Sequence, residues 1–416
     1  MRVVHRTGCC ILSVVLLMIA GVSAGQARAA RGGEGPRVFL LDSQQLARVR
    51  AHAHVDASSR AIVTAATTDA DRVLQDGPFS VMQKTVMPPS GNRHDYMSQA
   101  PYFWPDPNKP DGLPYIRRDG EHNPEIKRIT DHDQFLRMGE DARTLALAFY
   151  LTGNMVYAER AALLLRTWFL NPATRMNPHL EFGQGIPGIN TGRGIGIIES
   201  RALVPVVDAV GLLETAAVWT RDDEAGMRTW LTAYLHWMQT SAKGIAESEA
   251  NNNHGSWYDL QVVCIELFLG HRAAADTMLE RVKTRRIAVQ IEPDGRQLLE
   301  LARTNAWGYS NGNLDALVKL AVIGKREGVD LWNYRTADGR SIRKAIDFLL
   351  PYAGGMKKWD YAQIGGFHVE AAGATLERAA AAYHDVGLRA LAHRLTAEHA
   401  DTEMLLLADG ALSMHD

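Results

Sequence analysis

From Asp133 onward the apolar positions of this chain recur every three to four residues, and they keep that spacing almost to the end. The period is that of one helix face turned toward a core. It predicts helices over Ala142–Leu151, Tyr157–Phe169, Leu203–Trp219, Met227–Ala242, Leu260–Phe268 and Ala273–Ile287. It predicts further helices over Leu314–Gly324, Ile342–Pro351 and Ala371–His399. Glycine and asparagine fall at several of their ends, as in Thr152-Gly153-Asn154, where a left-handed cap would stop one helix and turn the chain into its antiparallel successor. The hairpins follow one another without the fixed period of a solenoid family. The pattern therefore predicts an all-α fold, an (α/α) toroid or barrel of antiparallel helical hairpins. Its inner helices would be apolar and its inter-helix loops would build a cleft at one end. An open superhelix would need more regular repeats.

Ahead of this region the pattern differs. Arg37–Leu41 reads as a short extended piece, and Asp42-Ser43 then caps an Ala-rich helical stretch to about Leu74. From Pro88 to Pro124 proline, glycine, aromatics and charges crowd together, notably in Tyr102-Phe103-Trp104-Pro105. A loop this long inside a domain is usually either functional or disordered, and its aromatic content argues for order. It is expected to form a lid or cleft wall over residues 88–124.

The first residues read as a targeting segment. Arg2, His5 and Arg6 precede an apolar run from Cys9 to Ala20, and small-x-small sites follow at Val22-Ser23-Ala24 and Ala27-Arg28-Ala29. The run is short for a bilayer span. Residues 1–29 are thus expected to be a cleaved signal peptide. Residues 30–416 would form a single domain, periplasmic or secreted from a bacterium. Removing Cys9 and Cys10 would leave only Cys264, set in an apolar helix and expected to pack.

Composition changes the picture little. Hydrophobic residues make up 46% and charged residues 22%, and the formal net charge is −2. No global field would recruit nucleic acid or an anionic membrane, so an acidic polymer would have to be met by local cations. Neither a cofactor nor an obligatory protein partner is indicated.

Candidate chemistry gathers in a few polar segments beside apolar helices. Asn251-Asn252-Asn253-His254-Gly255-Ser256-Trp257-Tyr258-Asp259 precedes the run Leu260–Leu269, and Arg303-Thr304-Asn305-Ala306-Trp307-Gly308-Tyr309-Ser310-Asn311 precedes another apolar helix. Gly192-Arg193-Gly194-Ile195-Gly196 has the glycines of a phosphate loop without a preceding strand or the Lys-Ser/Thr ending. His254, His271 and His368 are scattered, so no local metal spacing is present. No Gly-x-Ser-x-Gly elbow supports a serine hydrolase. Asp259, Glu300 and Glu370 leave a glycoside hydrolase open, since that chemistry needs two opposed carboxylates.

β-Elimination at a uronic acid makes fuller use of these residue types. Amide and guanidinium donors, here Asn252, Asn253 and Arg303, would stabilise the enolate-like dianion formed when C5 loses its proton. His254 would be the base, and Tyr309 would protonate the departing O4.

The two segments, together with His94-Asp95-Tyr96-Met97 through Tyr115-Ile116-Arg117-Arg118-Asp119-Gly120, resemble the alginate lyase superfamily of α/α-toroid polysaccharide lyases, and within it polysaccharide lyase family 38. The resemblance runs over most of residues 90–370. It implies depolymerisation of alginate or glucuronan, with Tyr309 and His254 in the places of the catalytic tyrosine and histidine. Asn253 and Arg303 fall where contacts to the substrate carboxylate would be expected. His94, Trp257 and Asn305, within the matched motifs, are expected on the substrate side; Arg193, His368 and the lid aromatic Tyr96 join them by residue type alone. In mannuronate and glucuronate the C5 proton and O4 share a face of the ring, so one tyrosine could serve as base and acid in turn. In guluronate they lie on opposite faces, which calls for His254 and Tyr309 together. Two rivals stay open: an α/α-toroid glycoside hydrolase, and a periplasmic uronate-oligosaccharide binding protein without the chemistry.

Overall fold

The structure, a computed structural model, describes residues 35–397 and 401–412. The expected leader, residues 1–29, lies outside the described residues. No described helix is long and apolar enough to cross a membrane.

Two helices open the chain, α1 (Ser43–His52) and α2 (Ala57–Val73), capped by the carboxylates of Asp42 and Asp56. The Ala-rich stretch is therefore two helices, divided at the second aspartate cap. Arg37–Leu41 joins no sheet, because the buried carboxylate of Asp208 takes the N–H groups of Phe39, at 2.6 Å, and Leu41, at 3.0 Å. Then come α3 (Asp131–Thr152), α4 (Met155–Leu165), α5 (Leu203–Leu213), α6 (Arg221–Thr240), α7 (Ala242–Ser248), α8 (Asn253–Leu269) and α9 (Arg272–Val282). The short α10 (Ala288–Gln290) and α11 (Leu298–Leu301) lead to α12 (Ala306–Glu327), α13 (Ile342–Ala353), α14 (Gly373–Tyr383), α15 (Val386–Thr396) and α16 (Thr402–Leu412). The single helix expected over Ala371–His399 is broken. His384 adopts φ 54°, and Asp385 recaps the chain by accepting the N–H groups of Gly387 and Leu388.

The packing closes on itself. α2 packs on α3, α3 on α5, α5 on α8, α8 on α12, α12 on α14 and α14 on α16, and α16 returns to α2. α4, α6, α9, α13 and α15 lie against this ring from neighbouring positions in the chain. This is the (α/α) toroid. α5 and the run Leu260–Leu269 of α8 are almost wholly buried. A fully buried Val, Leu or Ile side chain contributes about 1.5–3 kcal/mol, which explains why these helices carry apolar residues all round rather than on one stripe.

Residues 88–124 form an ordered wall. The buried ammonium of Lys84 pairs with the buried carboxylate of Asp131 at 2.9 Å and donates to the carbonyls of Val81 and Arg93. Asp131 also accepts the N–H of Met97 at 3.0 Å, so the base of the wall is pinned to the start of α3. Four short strands, which the helical pattern does not reveal, complete it. β1 (Met97–Gln99) pairs in parallel with β4 (Phe182–Gly185), and β2 (Phe103–Trp104) pairs antiparallel with β3 (Ile116–Arg117).

Candidate active site

The polar stretch around His254 is the beginning of α8, not its prelude, so the helix starts about two turns earlier than its apolar run suggests. The Asn252 side chain caps it, accepting the N–H of His254 at 3.2 Å. Asn253 follows and is clamped by the buried carboxylate of Glu300: its backbone N–H donates to Oε1 at 2.6 Å and its Nδ2 to Oε2 at 2.8 Å. Burial pushes the Glu300 carboxyl up, against the two Asn253 hydrogen bonds and the nearby Arg303 charge. Glu300 stands in α11, three residues before Arg303, so one carboxylate ties the two polar segments together.

His254 is oriented from behind. Its Nδ1 lies 2.8 Å from Oε1 of Glu247, a carboxylate with no exposed side-chain surface. With the ring neutral, that acceptor holds its proton on Nδ1 and leaves Nε2 with its lone pair, the tautomer a general base needs.

At the second segment Asn305 caps α12, accepting Gly308 N–H at 3.3 Å while Gln363 donates to the same oxygen at 2.7 Å. Tyr309 therefore stands in the first turn. Its hydroxyl lies 2.7 Å from Nη2 of Arg303 and 2.7 Å from the hydroxyl of Tyr102, on the wall. The Arg303 guanidinium also sits over the Tyr309 ring, 3.7 Å from its centroid. Asp119 fixes that guanidinium through Nε, at 3.0 and 3.1 Å, and through Nη2, at 2.7 Å. It also takes the backbone N–H of Thr304 at 3.1 Å. Burial raises the ionisation of Tyr309 well above the usual phenol range; Tyr102 adds to the rise and Arg303 opposes it. If the oxygen accepts from both Arg303 and Tyr102, its own proton is left for a third group, the arrangement of an acid.

The wall comes this close because Gly120 permits it. A Cβ there, at φ +77°, would fall 2.4 Å from Oγ1 of Thr304 and 2.5 Å from Ile364. The Gly192–Gly196 segment owes its composition to packing too: a Cβ on Gly196 would stand 2.6 Å from the backbone of Gly183. It runs into a 3-10 turn, Gly194–Ala202, not a phosphate loop. Arg193 binds the carbonyl and side chain of Gln184 and stacks over Phe103 at 5.1 Å. Burial lowers its pKa to about 10, so it stays cationic at neutral pH.

The structure thus assembles Tyr309, Arg303, Asn253 and His254, with Asn252 and Asn305 as the two helix caps. Other expected substrate contacts are placed differently. Tyr96 is fully buried and donates to Glu199 at 2.6 Å, so it anchors the wall from beneath instead of meeting a ligand. His94 packs its Nδ1 on the carbonyl of Arg175 at 2.7 Å. Trp257 packs against the core with Lys319 over its ring. His368 is exposed, between Glu370 and the carbonyl of Gly365. Cys264 is buried and its thiol is pushed upward by that burial, in keeping with packing. The carboxylates a hydrolase would need are committed elsewhere: Asp259 makes a buried two-point pair with Arg286, Glu300 holds Asn253, and Glu370 meets His368. Sequence reasoning missed the roles of Tyr102, Asp119 and Glu247. The first two stand some 200 residues from their partners, and no local spacing signals such a pairing.

Residues 80–359 match the family model described as alginate lyase. The crystal structure of an alginate lyase from Bacteroides ovatus is similar at 38% identity and a TM-score of 0.84, covering 89% of this chain and 98% of that one. Alginate lyase A1-III from Sphingomonas species A1 is similar in fold, at 17% identity and a TM-score of 0.51 over 83% of this chain and 88% of that one. Its histidine-to-alanine variant complexed with a tetrasaccharide reaches 0.56, also at 17%, over 84% and 89%. No curated protein matches the chain.

Proposed function

The chain belongs to the alginate lyase family and is a polysaccharide lyase, and from that premise we propose how its own residues divide the β-elimination. The observation that carries the reading is the Tyr309 hydroxyl held at 2.7 Å by both Arg303 and Tyr102. Arg303 spends Nε and Nη2 on Asp119 and Tyr309, which leaves Nη1 for the substrate carboxylate. Asn253, clamped by Glu300, supplies a second neutral donor. Such preset dipoles stabilise the dianion that forms as C5 loses its proton.

On guluronate, Nε2 of His254 removes that proton, the electron pair forms the C4–C5 double bond, and the C4–O4 bond breaks. Tyr309 gives its proton to O4. On mannuronate, Tyr309 acts from one face: after losing its own proton to solvent, the phenolate takes the C5 proton, the electron pair forms the C4–C5 double bond, and the tyrosine passes that proton to O4 as the C4–O4 bond breaks. The Arg303 guanidinium beside it stabilises the phenolate. Glucuronate differs from mannuronate at C2, away from the reacting bonds, so glucuronan is a proposed substrate too. Export rests on the sequence of residues 1–29, and N-terminal sequencing of the protein recovered from a bacterial periplasm or medium would test it.

The deciding experiment follows ultraviolet absorbance while the purified protein acts on polymannuronate, polyguluronate and glucuronan. The new double bond is conjugated to the carboxylate and absorbs. Reducing ends without absorbance would mean hydrolysis, and silence on all three polymers would sink the reading.

A further inference from the structure

Beyond the catalytic residues, the segment after α13 folds back against the start of α12 and encloses a groove of about 630 Å³. One side of the groove is aromatic. The Trp359 ring lies 4.9 Å from Tyr361, 5.0 Å from Tyr352 and 5.8 Å from Phe367, and its buried indole N–H has no acceptor among the described residues. The lining also carries charge from Lys357, Lys358 and Arg394. None of these three cations makes a salt bridge among the described residues, and the segment 354–368 contains a single acid, Asp360.

The groove adjoins the catalytic centre. Gln363 lines it and reaches Asn305 with its Nε2 at 2.7 Å, while its Oε1 accepts the N–H of Trp307 at 3.0 Å. Ile364 N–H donates to the carbonyl of Thr304 at 2.9 Å, next to Arg303. An aromatic face beside unpaired cations suits a pyranose that bears a carboxylate: the ring stacks its C–H face on the aromatics and the carboxylate meets an ammonium. We propose that this groove is an outlying subsite for a uronate unit of the polymer chain that runs through the catalytic centre. The proposal rests on the lyase reading for its ligand.

Lys357 and Lys358 are exposed, so the double variant Lys357→Ala/Lys358→Ala should fold normally. On long alginate its KM should rise about 5- to 10-fold at unchanged kcat, equivalent to one lost charge contact. On an oligosaccharide too short to reach the groove from the catalytic centre, its kinetics should match those of the parent. Electrophoresis through an alginate-containing gel should show the variant less retarded than the parent, and this readout needs no turnover. A variant with parental KM and parental retardation would overturn the subsite while leaving the lyase reading intact. An inactive parent whose retardation the double variant weakens would overturn the lyase reading and support the subsite. Trp359→Ala, which also touches Trp307, should act in the same direction as the lysine pair.

Discussion

Asp119 holds Arg303 through two of its nitrogens, with Nη2 to Oδ1 at 2.7 Å, although the two residues stand 184 positions apart. The pair joins the wall at 88–124 to the start of α12 and sets the guanidinium beside the Tyr309 hydroxyl. Burial opposes ionisation of Asp119, but Arg303, the Thr304 N–H and Arg117 outweigh it and hold the carboxyl well below its ordinary value. A carboxyl depressed in this way contributes stability above its unfolded pKa of ~3.9, lost only as pH falls through the lower folded value. The contact therefore holds across the whole range in which an enzyme works.

Asp119→Asn should lower kcat/KM on alginate on the order of tenfold by loosening Arg303, with little change in the fold. Asp119→Ala should cost more. If both variants keep parental kcat/KM, the wall does not position the arginine.

Glu300 separates elimination from hydrolysis. As a clamp for Asn253 it works by accepting hydrogen bonds, and a glutamine retains one acceptor. Glu300→Gln should therefore lose roughly tenfold or less in kcat. A loss of about a thousandfold or more, the usual cost of removing a proton-transfer group, would mark Glu300 as a reacting acid instead.

Tyr309→Phe should reduce turnover by about 10²–10⁴ while leaving oligosaccharide binding nearly unchanged, measured by absorbance and by calorimetry. Because the phenol titrates well above its ordinary ~10, kcat/KM on polyguluronate should show no alkaline loss from its ionisation up to about pH 10. On polymannuronate, where Tyr309 must first lose its proton, the rate should climb with pH. His254→Asn should spare polymannuronate more than polyguluronate; equal losses on both would refute the divided base roles.

Asp141 on α3 predicts a pH effect on stability. It is 7% exposed, its Oδ2 has no hydrogen-bond partner among the described residues, and burial, followed by the charge of Asp76, raises its pKa to about 6. The folded state thus binds a proton more readily than the unfolded chain between about pH 4 and 6, so stability falls as pH rises through that window. Asp141→Asn should gain about 1–2 kcal/mol at pH 7 and little at pH 4. Urea denaturation at the two pH values checks this; an equal difference at both would remove ionisation as the cause.

Much of this molecule could be read along the chain. A period of three to four residues marks a helix wherever it occurs, because a helix buries one face by local geometry alone, and serial hairpins close into a toroid to bury what remains. His254 and Tyr309 could be picked out because they stand in polar segments, rich in amides, beside apolar runs, and because those segments resemble a known family. What folding alone decided was pairing at a distance. Tyr102 meets Tyr309 across 207 positions, Asp119 meets Arg303, Glu247 orients His254 and Glu300 clamps Asn253. Tyr96 went the other way, from an expected ligand contact to a buried anchor on Glu199. A hydrogen bond between segments leaves no periodic trace in either one, since its geometry exists only after the toroid has closed and the wall has docked.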